Sequence, residues 1–380
     1  MSAPASTAGS LADVLPAAAA ALGVPFPGAA EPLSVTVPPA RVVVVLLVDG
    51  LGDLALAAHA GHAPFLRSLR ADPCSSRLRS GFPSTTATSL GMLGTGLLPG
   101  AHGLVGLDVL DPARDVVFNE LMWDPAVEPR RWQPSLTVFE HLEASGLQVT
   151  RVGPAYFDGS GLTEAVQRGG RFVAAQSLAD RVAAGLQAVR ATKSGLVYVY
   201  WGEVDKAGHE AGVASWRWLT ELEEIDAYAR RLAEGLPADV QLVITADHGM
   251  VDVPSTRRYD LAVEADLAAG IRHLGGEPRA QHLYCRPGAA DDVLATWRAR
   301  LGSSMVVLPK AEAVAAGWFG PVSPHVLPRI GDVVTAAVDP IAVVDSRTAR
   351  PETLALKGFH GARTEDEVYV PLLVSPGLRR

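Results

Sequence analysis

Four places in the chain carry residue types that can hold a metal ion or move a proton, and each lies where an apolar run ends or a glycine turn begins. Asp49 follows the run Val42 to Val48 and precedes Gly50 and Gly52. Asp205 and His209 follow GLVYVYWGEV at a spacing of four, which puts both side chains on one helix face, as a shared cation requires. Asp247 and His248 close the stretch VQLVITADHGM, and His360 lies in the later segment GFHG. The turn GFPSTTATS also brings Ser84, Thr85 and Thr86 to an expected helix N-terminus, where free N–H groups and the positive dipole end favour an anion. Taken singly, Asp49 also fits a cap for the helix that follows, and the hydroxyls fit an N-cap without chemistry. Asp, then Asp with a nearby His, then Asp-His at three successive strand ends is a pattern that neighbouring caps do not produce. Carboxylate and imidazole donors without thiolate suit zinc in a hydrolytic site, with manganese the alternative. Two such ions would clamp the attacking and leaving oxygens of a phosphoryl displacement. One would also lower the pKa of a bound hydroxyl, which a threonine needs to become a nucleophile.

The elements that must position these groups follow from the apolar runs. A continuous Val/Leu run bounded by glycine reads as a central strand buried on both faces, as in a parallel sheet, and chemistry in such sheets collects at the carboxyl edge. Two more such strands precede Asp205 and Asp247. The predicted fold class is α/β, a mostly parallel central sheet with helices on both faces. Helices are expected over Asp53 to Arg70, Thr137 to Ser145, Leu178 to Arg190 and Trp216 to Glu234, with an aromatic-bearing loop (Phe118, Trp123, Trp132) between the first two. The segment 252–355 differs in texture, with short strand-like runs (HLYC, MVVL, DVVTAAV, IAVV) alternating with one or two helices. It reads as an inserted, smaller α+β subdomain that caps the crevice. The expected division is an N-terminal helical segment over 1–40, a catalytic domain over 41–251 and 356–380, and the cap over 252–355.

Composition narrows the function classes. The chain has 380 residues, 48% of them hydrophobic, enough for a large core. Its 33 Lys and Arg against 41 Asp and Glu leave a net charge of -8, which argues against a protein that wraps nucleic acid. Two cysteines, Cys74 and Cys285, are too few for a disulfide framework. The alanine-rich N-terminal stretch is too short to span a bilayer and lacks the basic flank of a secretory signal. A soluble, cytoplasmic protein without a membrane or nucleic-acid polymer as partner is expected.

The motifs VDGLG, FPSTTATS, GEVDKAGHEAG, ADHGM and FHG stand in the order found in the alkaline phosphatase superfamily. From about Val42 to Leu373 the chain resembles its nucleotide pyrophosphatase/phosphodiesterase branch. The resemblance implies that Asp205, His209 and His360 hold one zinc, and that Asp49, Asp247 and His248 hold the other. It makes Thr86, three residues after Pro83, the nucleophile, with Thr85 the alternative one residue earlier. The implied activity is hydrolysis of a small phosphorylated substrate through a phosphoryl-threonine, with phosphodiesters or nucleotide pyrophosphates preferred. Three positions depart from the family. Leu107 stands where an asparagine donates to the phosphate, Ala87 where the diesterases place a stacking aromatic, and Gly153-Pro154-Ala155 with Tyr156 replaces a W-P-G-like segment. The metal machinery is kept while the substrate pocket, with Leu107, Ala87 and Tyr156 as its expected lining, is rebuilt. Other readings are a phosphonate hydrolase or metal-dependent phosphomutase of the same superfamily, or a non-catalytic binding protein retaining the fold. A sulfatase is disfavoured because the stretch around Cys74 reads CSSR and lacks the required proline.

Overall fold

The computed structural model describes residues 8–375. Val42–Val48 is a strand with every side chain buried. It runs parallel to Gly195–Trp201 on one side and Val240–Thr245 on the other. Branched side chains on both faces of a strand must pack between two layers, so this strand takes the centre. The sheet has eight strands in the order Gly9–Ser10, Ser76–Arg79, Tyr369–Val374, Val240–Thr245, Val42–Val48, Gly195–Trp201, Gln148–Gly153 and Arg171–Ala174. It is mostly parallel, and Tyr369–Val374 runs antiparallel to both of its neighbours. Flanking helices include Leu178–Ala191 and Trp216–Glu234. The fold class is the one expected.

Three local expectations are corrected. Asp53 to Arg70 is two helices, Asp53–Ala58 and Pro64–Arg70. Pro64 sits in the first turn of the second, where its missing N–H costs nothing, but its ring could not continue the first. The N-terminal segment is more than a helix: Gly9–Ser10 pairs with Ser76–Arg79, and the buried face of Val14–Ala21 belongs to the main core. The smaller sheet is also not confined to 252–355. Its six strands run Met305–Pro309, Val333–Ala337, Ala280–Cys285, Ile271–Glu277, Asp108–Asp111 and Val116–Asn119. The last two form a hairpin whose four-residue strands carry Asp108, Asp111 and Asn119, so no apolar run announces them. That hairpin joins the rest through the pairing of Gly276 with Asp108.

A buried ion pair ties the smaller sheet to the larger. Arg279 donates from Nε and Nη2 to both carboxylate oxygens of Glu367 at 2.8 and 2.9 Å, with neither side chain exposed. Among the described residues, no helix is long and apolar enough to cross a membrane.

Candidate active site

The three central parallel strands end together. Val48 lies opposite Trp201, and Leu47 opposite Thr245, so the residues that follow share one edge. The Asp49 N–H donates to the Trp201 carbonyl at 2.8 Å, holding the turn after Val48 against its neighbour. Gly50 has φ +72°, and a Cβ there would stand 2.8 Å from the Asp205 Cα. Only glycine lets this turn press against the helix Glu203–Ala211, which carries Asp205 and His209. The Gly50 N–H in turn donates to Asp247 Oδ1 at 3.1 Å.

Each histidine of the cluster is aimed by a backbone carbonyl. His209 Nδ1 lies 2.8 Å from the Gly358 oxygen, His248 Nδ1 3.0 Å from that of Gly249, and His360 Nδ1 2.9 Å from that of Ser84. A carbonyl can only accept, so Nδ1 carries the proton and Nε2 presents its lone pair inward, the state a metal ligand needs. His248 Nε2 lies 3.5 Å from Asp49 Oδ1 and 3.6 Å from Asp247 Oδ2, and His209 Nε2 lies 3.4 Å from Asp205 Oδ2. The His248 and His360 rings stack at 3.8 Å.

Two groups place three donor atoms within 4.8 Å of one another: Asp49, Asp247 and His248, and Asp205, His248 and His360. His248 is common to both. His209 stands outside the second trio, with its ring 5.1 Å from that of His360. In each carboxylate, one buried oxygen has no hydrogen-bond partner: Asp49 Oδ1, Asp205 Oδ1 and Asp247 Oδ2. Unpaired buried carboxylate oxygens are costly, and three converging with imidazole lone pairs form a donor set that fits a divalent cation. Burial first, then Asp247 and Asp205, push the Asp49 carboxyl well up. Burial, then His248 and His209, push His360 well down. Both shifts begin with burial, the mark of a dry cluster of ionisable groups. The Tyr200 hydroxyl donates to Asp49 Oδ2, a contact no sequence motif signals.

Thr86 is the first residue of the helix Thr86–Thr95, and its hydroxyl lies 3.2 Å from His248 Nε2. The turn before it is fastened to the His360 segment. The Ser84 N–H and hydroxyl donate to Gly361 and Ala362 carbonyls at 3.1 and 2.7 Å, and the Gly361 N–H returns to Ser84 Oγ at 3.1 Å. Thr85 is the N-cap residue, though its side chain caps nothing.

The structure thus gathers Asp49, Thr86, Asp205, His209, Asp247, His248 and His360 at one edge. The expected pocket lining is placed differently. Ala87 is fully buried in the main core and offers no surface to a substrate, because the second residue of this helix faces inward. Leu107 is half-buried, with its carbonyl accepting from the Glu120 N–H at 2.6 Å. Tyr156 is 72% exposed, with its ring against Phe157, which packs in turn on Tyr200. Sequence reasoning missed Glu277, a buried acid brought in by the smaller sheet.

A family model described as Type I phosphodiesterase / nucleotide pyrophosphatase matches residues 43–363. A Schizosaccharomyces pombe protein, described as an uncharacterized pyrophosphatase/phosphodiesterase, is 25% identical over 221 residues, 54% of this chain. That match spans 41% of the relative's length, less than half of it. Among solved structures, human ectonucleotide pyrophosphatase / phosphodiesterase 5 is similar, with a TM-score of 0.70 and 20% identity over 87% of each chain. Phosphonoacetate hydrolase from Sinorhizobium meliloti, solved with phosphonoformate, has a TM-score of 0.68 and 20% identity over 90% of this chain and 93% of its own.

Proposed function

Because the chain belongs to the type I phosphodiesterase / nucleotide pyrophosphatase family, within the alkaline phosphatase superfamily, we propose that it hydrolyses phosphodiesters or nucleotide pyrophosphates through Thr86. The observation that carries this reading is the Thr86 hydroxyl at a helix N-terminus, 3.2 Å from His248 Nε2, at the edge where Asp49, Asp205 and Asp247 each keep one unpaired oxygen. Two divalent cations, zinc by donor type with manganese the alternative, would be held by Asp205, His209 and His360 and by Asp49, Asp247 and His248, supplying charge to stabilise the phosphoryl transition state.

The chain's own residues do the rest. The free N–H groups opening Thr86–Thr95 face the phosphoryl oxygens. Thr86 Oγ1 bonds to phosphorus as the bond to the departing alcohol breaks. The hydroxyl proton leaves to solvent, and the alkoxide takes one from solvent. Water then cleaves the phosphothreonine and restores the enzyme. Ser84, stitched to Gly361 and Ala362, keeps nucleophile and His360 in register.

Substrate charge follows from Leu107. A monoester near neutral pH carries nearly two charges, and each charged oxygen left unpaired in a dry pocket costs several kcal/mol. The nucleophile turn holds no arginine, and the family's asparagine donor is absent at Leu107. The zinc-loaded protein is therefore expected to show higher kcat/KM for methyl nitrophenyl phosphate than for nitrophenyl phosphate. A clear monoester preference overturns the diester reading, and no hydrolysis of either with zinc or manganese overturns the hydrolase.

A further inference from the structure

Met250 closes the ADHGM stretch, and neither the six ligands nor Thr86 accounts for it. Its side chain is 4% exposed and lies where three ligand-bearing segments meet. The first is its own, since Asp247 and His248 stand just before it. The second is the helix Glu203–Ala211, with Asp205 and His209, and the third is the strand Gly358–Phe359, which runs into His360. A Cβ on Gly208, one residue before His209, would stand 2.5 Å from the Met250 sulfur, and one on Gly358 would collide with the same atom. The Gly358 Cβ would also meet the Gly208 carbonyl oxygen at 2.6 Å, so helix and strand touch backbone to backbone beside the sulfur. An unbranched thioether suits such an irregular gap.

This contact bears on His209. That residue is tied to the strand at two points: its Nδ1 lies 2.8 Å from the Gly358 oxygen, and its carbonyl accepts the Lys357 N–H at 2.7 Å. The Met250 segment is fastened to the same strand, because Val251 pairs with Phe359 and Asp252 with Gly358. Asp252 Oδ1 accepts the Val213 N–H at 2.8 Å, just past the end of the His209 helix. Asp205, His248 and His360 converge within 4.8 Å without His209. No strand end holds His209, so the seating of its helix decides how Nε2 is presented.

We propose that Met250 is a positioning residue: its thioether seats the His209 helix against Gly358 and thereby sets His209. The donors Asp49, Asp247 and His248, held by strand ends, do not depend on it. This rests on the two-cation reading of the site.

The test is calorimetric zinc titration of the full metal-free chain, in native and variant forms. Met250→Ala is expected to weaken one of the two ions by about 10–100-fold, the range for losing a group that orients a ligand, and to leave the other unchanged. His209→Ala weakens the same ion, and adding Met250→Ala to it brings no further loss, because the two act through one contact. Met250→Leu, close in volume, keeps most of the affinity. Equal weakening of both ions, no weakening, or full additivity with His209→Ala overturns the proposal. Hydrogen exchange of the metal-free chain gives a second reading. In Met250→Ala the Lys357 N–H, donated to His209, exchanges about tenfold or more faster, as local opening becomes easier, while the Gly50 N–H, donated to Asp247, keeps its native rate. An unchanged Lys357 rate, or an equal rise at both amides, overturns the proposal. If Met250→Ala does not fold, Gly208→Ala, which crowds the same sulfur from the helix side, must weaken the same ion, and an unchanged affinity overturns the proposal. If the native chain binds neither zinc nor manganese, the cation reading fails while the exchange rates still decide the role of Met250.

Discussion

The two sheets meet at one crevice but are built from different kinds of sequence. The larger is organised on strands apolar on both faces, such as Val42–Val48, whose common end delivers Asp49, Asp205, Asp247 and His248. The smaller is antiparallel; its inner strands Ala280–Cys285 and Val333–Ala337 are buried throughout, and only Met305–Pro309 at its edge begins with a buried, exposed, buried alternation. It draws strands from segments far apart in the chain and brings Glu277 beside Gly361, the residue after His360. Backbone register in the parallel sheet holds the cation ligands. The smaller sheet depends instead on the pairing of Gly276 with Asp108 and on the Arg279–Glu367 ion pair.

The two regions part most sharply at Thr86. Thr86→Ala is expected to lower kcat for methyl nitrophenyl phosphate by about 10³-fold or more, since nucleophile and site act as one unit. Thr85→Ala, at the N-cap, should cost far less. If the two effects exchange places, the nucleophile lies one residue earlier.

Next is the weld between the sheets. Arg279→Met leaves Glu367 buried and unpaired, so a loss of about 3–5 kcal/mol in unfolding free energy is expected. Denaturant titration checks it, and a loss well under 1 kcal/mol would mean that the sheets are held together by apolar packing alone.

The most gradual effect, spread over several pH units, concerns Glu120, just past the hairpin of the smaller sheet. Burial pushes its carboxyl up to about 8 from an ordinary 4.5, partly offset by the Trp132 Nε1–H donated at 2.6 Å. The folded state then keeps a proton that the unfolded chain releases, so stability falls as pH rises from about 4.5 to about 8. The slope reaches at most about 1.4 kcal/mol per pH unit. Glu120→Gln keeps an acceptor for Trp132 and should flatten that decline, read from denaturation midpoints at pH 5 and pH 8. An unchanged slope would show that Glu120 is ionised in the folded protein.

What was legible in the sequence followed the same division. Asp49, Asp205, His209, Asp247 and His248 stand within a few residues of apolar runs, so recognising the strands located them, and Trp216–Glu234 was legible from its spacing. Less was legible where position depends on pairing between distant segments. Tyr200 sits in a strand that reads as uniformly apolar, and its bond to Asp49 depends on the neighbour's register. Glu277 and Asp108 come together only through Gly276, and short polar strands carry no periodic signal. Ala87 was misjudged because the turn of its helix, not its place after Thr86, decides which way it faces.

The strand Tyr369–Val374, which fills the place between Val240–Thr245 and Ser76–Arg79, has a consequence for synthesis. It emerges from the ribosome after every other strand of the large sheet, shortly behind His360. At about 5–20 residues per second, a chain that has already made Thr245 waits on the order of 10 s for it. During that wait the nascent protein has one edge of its hydrophobic strand Val240–Thr245 uncovered, the kind of edge that pairs with other chains. The cluster of ligands is also incomplete, so the nascent chain is exposed to chaperones before it has its full donor set for a cation. A ribosome stalled just before this strand would hold a chain that contains all six ligands but lacks the edge that closes its sheet.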